Sequence, residues 1–181
     1  MIISNVRIAF ADIFVPKAQG DNPQEKFAAT FLIPEGSEIE KKIEAEILAK
    51  AEAKWPGKGA QTIKSIRGNN MRFCFRPEGE KDYNGFAGNR FFKATNVARP
   101  TIIDRDKTPL TQADGKPYAG CYVNASVEFY AYENNGKGIA CQLKGIQFFK
   151  DGDAFSGGGV ASPDDFDDLG FDNEEESHDF A

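Results

Sequence analysis

Apolar positions along the first 150 residues recur with a period of two far more often than with the period of a helix. In NVRIAFADIF (5–14), Val6, Ile8 and Phe10 share one parity and Arg7 takes the other, the pattern of a half-buried strand. A second strand is predicted in KFAATFLIP (26–34), where Phe27, Ala29, Phe31 and Ile33 alternate with Lys26, Ala28, Thr30 and Leu32 before Pro34 stops the run. One segment breaks the rule. From Ser37, whose hydroxyl can cap while Glu40 answers three residues on, Ile39, Ile43, Ile47, Ala51 and Trp55 fall at four-residue steps on one face of a helix, and Pro56 and Gly57 end it.

A looser region follows, punctuated by Gly, Asn and Pro, with short candidate strands near 71–76, 90–96 and 101–104. YAGCYVNASVEFYAYENNGKGIACQLKGIQFFKDG (118–152) then reads as two long strands joined at Asn135-Gly136, residues that tolerate positive φ and so mark a tight hairpin. At least six strands, one inserted α-helix and a long C-terminal hairpin predict a mainly β protein, an antiparallel barrel like the OB-fold.

Charge divides the chain in two. All 22 Lys and Arg precede residue 151, against 17 acidic residues there, a net of +5; the rest carries 11 acidic residues and no Lys or Arg. We therefore expect a folded domain over 1–150 and a flexible linker and acidic tail over 151–181. The end, DDFDDLGFDNEEESHDFA (164–181), has nine carboxylates in eighteen residues and too little apolar surface to order itself. A basic body with an acidic appendage is the asymmetry of a polyanion-binding domain and its internal competitor. No run is long and apolar enough to span a bilayer and no secretory signal is evident, so the expected location is inside a cell. Cys74, Cys121 and Cys141 form no C-x-x-C and the one histidine, His178, lies in the tail, so they read as small buried thiols, with no metal and no cofactor expected.

Parity within the hairpin places Val123, Ala125, Val127, Phe129 and Ala131 on one face and Tyr122, Tyr130 and Tyr132 on the other. Those rings either cover a second apolar layer or form platforms for bases. In the looser region Arg67, Arg72, Arg76, Lys81, Arg90, Lys93 and Arg99 interleave with Phe73, Phe75, Tyr83, Phe86, Phe91 and Phe92. Cations that displace counterions from phosphates, together with flat rings that accept any base, are what an unpaired nucleic-acid strand requires. The candidate contacts are thus Arg67, Arg72, Phe75, Arg76, Tyr83, Phe86, Arg90, Phe91, Lys93, Arg99, Tyr122, Tyr130 and Tyr132. No nucleophile–His pair or nucleotide-cradling loop occurs in the body, and the spacing of Asp104 and Asp106 is too common to indicate a nuclease, so no enzymatic activity is expected.

NVRIAFADIFVPK, KFAATFLIP with its following helix, RFFKATNVARPTIID and the closing hairpin stand in an order and spacing that resemble a family of tailed-phage single-stranded-DNA-binding proteins, over nearly the whole body. The resemblance implies an OB-like fold that coats single-stranded DNA during phage replication and recombination in the host cytoplasm. It also likens the tail to those of other replication proteins, although here Ala181 follows the terminal aromatic, Phe180. We expect the tail to compete with DNA for the basic groove and, once displaced, to recruit a phage or host polymerase, helicase or nuclease. The candidate anchors are Asp164, Asp165, Phe166, Asp167, Asp168, Phe171, Glu174, Glu175, Glu176, Asp179 and Phe180. Oligomeric state stays open between a monomer that self-associates on DNA and a dimer. The alternative function, a DNA-mimicking inhibitor of a host DNA-binding protein, conflicts with the +5 body.

Overall fold

The structure is a computed structural model that describes residues 1–155 and 166–169. The tail positions Asp164, Asp165, Phe171, Glu174, Glu175, Glu176, Asp179 and Phe180 lie outside the described residues. Among the described residues seven strands are present: β1 (Ile2–Gln19), β2 (Asn22–Pro34), β3 (Phe75–Arg76), β4 (Asn89–Asn96), β5 (Thr101–Ile103), β6 (Tyr122–Glu133) and β7 (Lys137–Lys150). They hydrogen-bond in the order β3-β4-β2-β1-β6-β7-β5. A further pairing of β4 with β7 closes β1, β2, β4, β6 and β7 into a five-stranded barrel. Most pairings are antiparallel, but the closing one is parallel and has a single register pair, Thr95 opposite Gln142. The Asn96 amide spans the same seam to the Leu143 carbonyl at 2.8 Å.

Alternation built this core as expected. Val123, Ala125, Val127 and Phe129 of β6 face inward with Phe31 of β2, Phe92 and Ala94 of β4, and Cys141 and Leu143 of β7. The hairpin turns at Asn135 (φ 52°) and Gly136 (φ 135°).

Two departures from simple alternation shape the outer surface. In β1, Ile8 pairs with Phe31 but the next register pair is Ala11 with Ala29, three steps on one strand against two on the other. This bulge flips the parity, so Ile8 and Ile13 both point into the core whereas Phe10, expected inside, is 52% exposed. In β2 every residue from Phe27 to Ile33 is buried. The outer face of that strand is partly roofed by a satellite cluster in which Ala9, Leu32 and Phe86 pack with Phe91 and Phe155.

The expected helix, α1 (Glu38–Lys54), starts where its cap predicted. Ser37 Oγ accepts from the Glu40 amide at 3.2 Å, while the Glu40 carboxylate accepts from the amide of Gly36. Ile43, Ile47 and Ala51 are fully buried. The expectation of one inserted helix needs correction, because a second, α2 (Gly59–Ile66), follows at once. Its own N-cap, Lys58, offers no side-chain acceptor. The Glu52 carboxylate of α1 serves instead, accepting from Gly57 N at 3.0 Å and Ala60 N at 3.3 Å. The candidate strand at 71–76 is reduced to Phe75–Arg76, preceded by a bridge between Phe73 and Ile139.

Cys121 and Cys141 are buried, Cys74 is half-buried, and none forms a disulfide. Burial pushes the Cys74 thiol up to about 12 and raises the other two, which keeps all three protonated at neutral pH.

A Cβ at Gly59 would lie 2.6 Å from the Glu52 backbone nitrogen, where nothing can move aside. Helix propensity alone would make Gly59→Ala stabilising by up to about 1 kcal/mol. We expect the clash to win, with a net loss of about 1–3 kcal/mol in urea unfolding.

Candidate nucleic-acid interface

The residues singled out in the sequence separate into three groups. Most of the arginines are engaged internally. Arg90 donates to Glu40 at 3.0 Å and to Glu44 at 2.7 Å, and its guanidinium lies 3.7 Å from the centroid of the buried Phe75 ring. Arg67 forms a two-pronged pair with Glu44, at 2.8 and 3.0 Å. Arg76 pairs with Glu80 at 2.7 Å. Arg72 holds the β6–β7 turn by donating to the carbonyls of Asn134, Asn135 and Gly136 at 3.1, 2.9 and 3.2 Å. Arg99 reaches the Phe14 carbonyl at 3.1 Å, at the base of the β1–β2 arm.

A second group sits at the start of β6 and fixes the chain leaving β7. Arg7 stands 5.6 Å from the Tyr122 ring centroid and 4.3 Å from that of Phe155, while donating to the carbonyls of Gly120 and Asp153 at 2.8 and 2.7 Å. Tyr118 Oη donates to Asp151 at 2.9 Å, and the Phe155 amide donates to Ala119 O at 3.0 Å. Residues 151–155, read as linker in the sequence, are thus a strap packed on the barrel.

The third group is exposed and continuous. Phe10 and Tyr83, each 52% exposed, meet edge to face at 5.3 Å. Beneath them lies Phe86, 5.4 Å from Tyr83 and 5.1 Å from Phe91. These rings, with Lys81, Lys93, Asp12, Thr30 and the small Ala28, line a cleft of about 330 Å³. Because Phe92 and Ala94 face the core, Phe91, Lys93 and Thr95 take successive outward positions on β4. Thr95 leads into a second cleft of about 370 Å³, bordered by Lys26, Val97, Tyr130 and Gln142. The step from Phe91 to Thr95 is about 13 Å at strand spacing. Tyr132, 6.2 Å from Tyr130, extends this edge toward the hairpin tip. Tyr122 is eight residues from Tyr130 along β6, about 27 Å, and belongs to the strap.

Electrostatics reinforce the division. Burial would raise the Glu44 carboxyl, but hydrogen bonds and charge from Arg67 and Arg90 outweigh it and hold the group below its ordinary value. The lysines of the track differ: no carboxylate lies within ion-pair distance of Lys26, Lys81 or Lys93 among the described residues, whereas Asp12 is paired with Lys17 at 2.8 Å. Sequence reasoning missed Phe10, because a bulge leaves no mark on alternation. It misses Lys26 because alternation marks that residue only as an outer position of a strand.

A closed five-stranded barrel with a ring-lined, lysine-bearing face across its second and third barrel strands defines a protein of the OB class. The chain belongs to the family described as the ssDNA-binding protein of Enterobacter phage Enc34, which it matches over residues 1–181. It is 49% identical over 176 residues to protein p50 of Acyrthosiphon pisum secondary endosymbiont phage 1, covering 96% of both chains. Among solved structures, the single-stranded DNA-binding protein from bacteriophage Enc34 in complex with ssDNA matches with a TM-score of 0.69 at 22% identity, covering 86% of this chain and 88% of that one. The single-stranded DNA-binding protein gp2.5 of bacteriophage T7 matches with a TM-score of 0.57 at 16% identity, covering 94% and 97%. At these identities the two structures establish the shared fold.

Since the Glu44 carboxyl is depressed in the folded state, its stabilisation is present above the unfolded value of about 4.3 and fades as pH falls through the folded one. The stability difference between wild type and Glu44→Gln should therefore be largest near neutrality and shrink on acidification to about pH 3. Chemical denaturation at a series of pH values checks this; a difference that grows in acid would contradict the assigned pairing.

Proposed function

We propose that this protein is a sequence-independent single-stranded-DNA-binding protein of phage DNA replication and recombination, acting in the infected cell. The observation that carries the reading is the exposed Phe10–Tyr83 pair beside Lys81 and Lys93 on the β2–β4 face. In OB barrels that face, with the loops joining strands one to two and four to five, is where oligonucleotides lie. Membership of a family described by its ssDNA-binding member supports the same ligand.

The division of labour follows from the geometry. Bases stack on Phe10 and Tyr83, supported from below by Phe86 and Phe91, and again on Tyr130 and Tyr132. Phosphates meet Lys81, Lys93 and Lys26, flexible ammonium groups that neutralise charge without demanding one backbone geometry. In this reading Arg67, Arg72, Arg76, Arg90, Phe75 and Tyr122 hold the scaffold. Binding then follows ring and charge rather than base identity.

The acidic segment after residue 163 acts as a competitor for the same face and, when DNA displaces it, as a handle for replication partners. Two facts support this. The chain beyond residue 150 carries 11 acidic residues and no Lys or Arg, and the strap delivers that chain beside the cleft, with Phe155 and Tyr83 lining a common hollow of about 390 Å³. Phe166 and Leu169 are 70% and 93% exposed, as apolar anchors for a partner would be.

Fluorescence titration with oligo-dT tests the interface. Phe10→Ala and Tyr83→Ala should each weaken binding by about 1–3 kcal/mol. Lys93→Ala should flatten the logarithmic salt dependence by about 0.7. Retention of no oligo-dT by residues 1–163 in dilute buffer would end the proposal.

Truncation after Pro163 should raise affinity for oligo-dT at low salt, with the gain shrinking as salt screens the tail. Equal affinity of full-length and truncated chains at low salt would remove the competitor role. Tail-dependent capture of a replication polymerase, helicase or nuclease in a pull-down tests recruitment.

A further inference from the structure

A second, separate cluster of cations lies on the helical side of the barrel. Lys58, Gln61, Thr62 and Ser65 are spaced i, i+3, i+4 and i+7, which brings them to one face of α2. With Lys137, the first residue of β7, they line a cleft of about 270 Å³. Its lining holds two ammonium groups, a carboxamide and two hydroxyls, and no carboxylate. Neither Lys58 nor Lys137 has a carboxylate within ion-pair distance among the described residues. The nearby Glu52 carboxylate is held by the amides of Gly57 and Ala60. Ser65 gives its hydroxyl proton to the Thr62 carbonyl at 2.7 Å, and Glu133 stands opposite Lys137 in register but outside ion-pair distance, so the two ammonium groups and the Gln61 carboxamide are the donors that an oxyanion would meet here.

We propose that this cleft is a phosphate subsite that takes a backbone phosphodiester of single-stranded DNA after the strand has crossed the β6–β7 tip. The inference rests on the DNA-binding reading above. Lys137 lies three residues along β7 from Ala140, the register partner of Tyr130, about 10 Å. Lys137 pairs with Glu133 at the parity of the inward-facing Phe129 and Ala131, so it lies on the opposite face of the hairpin from Tyr130, just short of the 134–136 turn, and a strand leaving the Tyr130 cleft reaches it by passing over the tip. Each protomer would engage a longer stretch of DNA than its ring-lined face alone, and oligonucleotides confined to that face would not reach the helices.

The chain contains its own reporter. Trp55 is the sole tryptophan, it is buried, and the Lys137 ammonium lies 5.5 Å from its ring centroid. A phosphate drawn to Lys137 alters the field at the indole, so Trp55 emission reads this cleft while the anisotropy of a labelled oligonucleotide reads total binding.

The experiment uses the full chain with fluorescein-labelled poly-dT, an oligo-dT of about 8 nucleotides, within the span of one OB barrel, and inorganic phosphate. Poly-dT should shift Trp55 emission and the short oligo-dT should bind without doing so. The double variant Lys58→Gln/Lys137→Gln should lose at least tenfold in poly-dT affinity at low salt, flatten its logarithmic salt slope by about 1.4, and bind the short oligo-dT as wild type does. Ser65→Asp, which leaves the Lys137–Trp55 contact in place, should reproduce the loss by putting a carboxylate into the cleft. Normal binding of both probes by both variants, with Trp55 emission unmoved by poly-dT, would overturn the subsite and leave the ring-lined face standing. A Trp55 response to inorganic phosphate but not to poly-dT would also overturn it, assigning the cleft to a free anion. Failure of either DNA probe to bind wild type would instead bring down the DNA-binding reading and the subsite with it.

Discussion

The Arg90 guanidinium, lodged between Glu40 and Glu44 and over the Phe75 ring, joins α1 to β4 and β3 through charge in a half-buried setting. Removing Arg90 would strip Glu40 of its ion-pair partner and Glu44 of one of its two in a partly desolvated setting, which ties the helix to one seat on the barrel. Arg67 shares Glu44, and Arg72 and Arg76 are bound in similar fixed geometries, to a turn and to Glu80. Planar, multiply hydrogen-bonding arginine is thereby placed inside the architecture, and flexible, well-hydrated lysine is left on the exposed ring-lined face. The composition looks like one basic pool; the fold sorts it by side-chain chemistry.

What could be read from the sequence is what local pattern encodes. The β6–β7 hairpin follows from strict alternation and Asn135-Gly136, and α1 from Ser37, Glu40 and the Ile39-to-Trp55 stripe. Features that depend on distant partners were not legible. α2 begins on Gly59 because its N-terminus is satisfied by Glu52 of the preceding helix, and no residue at its own start announces a cap. Phe10 points outward because of one extra residue in β1, which the apolar alternation of Val6, Ile8 and Phe10 contradicts. Residues 151–155 look like linker by composition and become a strap only because Phe155 finds the Ala9, Leu32 and Phe86 cluster and Arg7.

The candidate interface was legible in kind and incomplete in membership. Tyr83, Phe91, Lys93, Tyr130 and Tyr132 lie along one track, yet the arginines interleaved with the rings of that region are those the fold uses internally. Interleaving in sequence cannot separate them, because it does not show which carboxylate or backbone carbonyl the fold brings to each arginine.

The parallel seam between β4 and β7 carries one further implication. Every other seam of the barrel wall has at least four register pairs, but here Thr95 faces Gln142 alone, and both residues border the Tyr130 cleft. The wall is therefore least zippered directly beneath the track. An occupant spanning those two strands would act as a splint across the gap, so that grip on it and integrity of the cylinder would become one mechanical property.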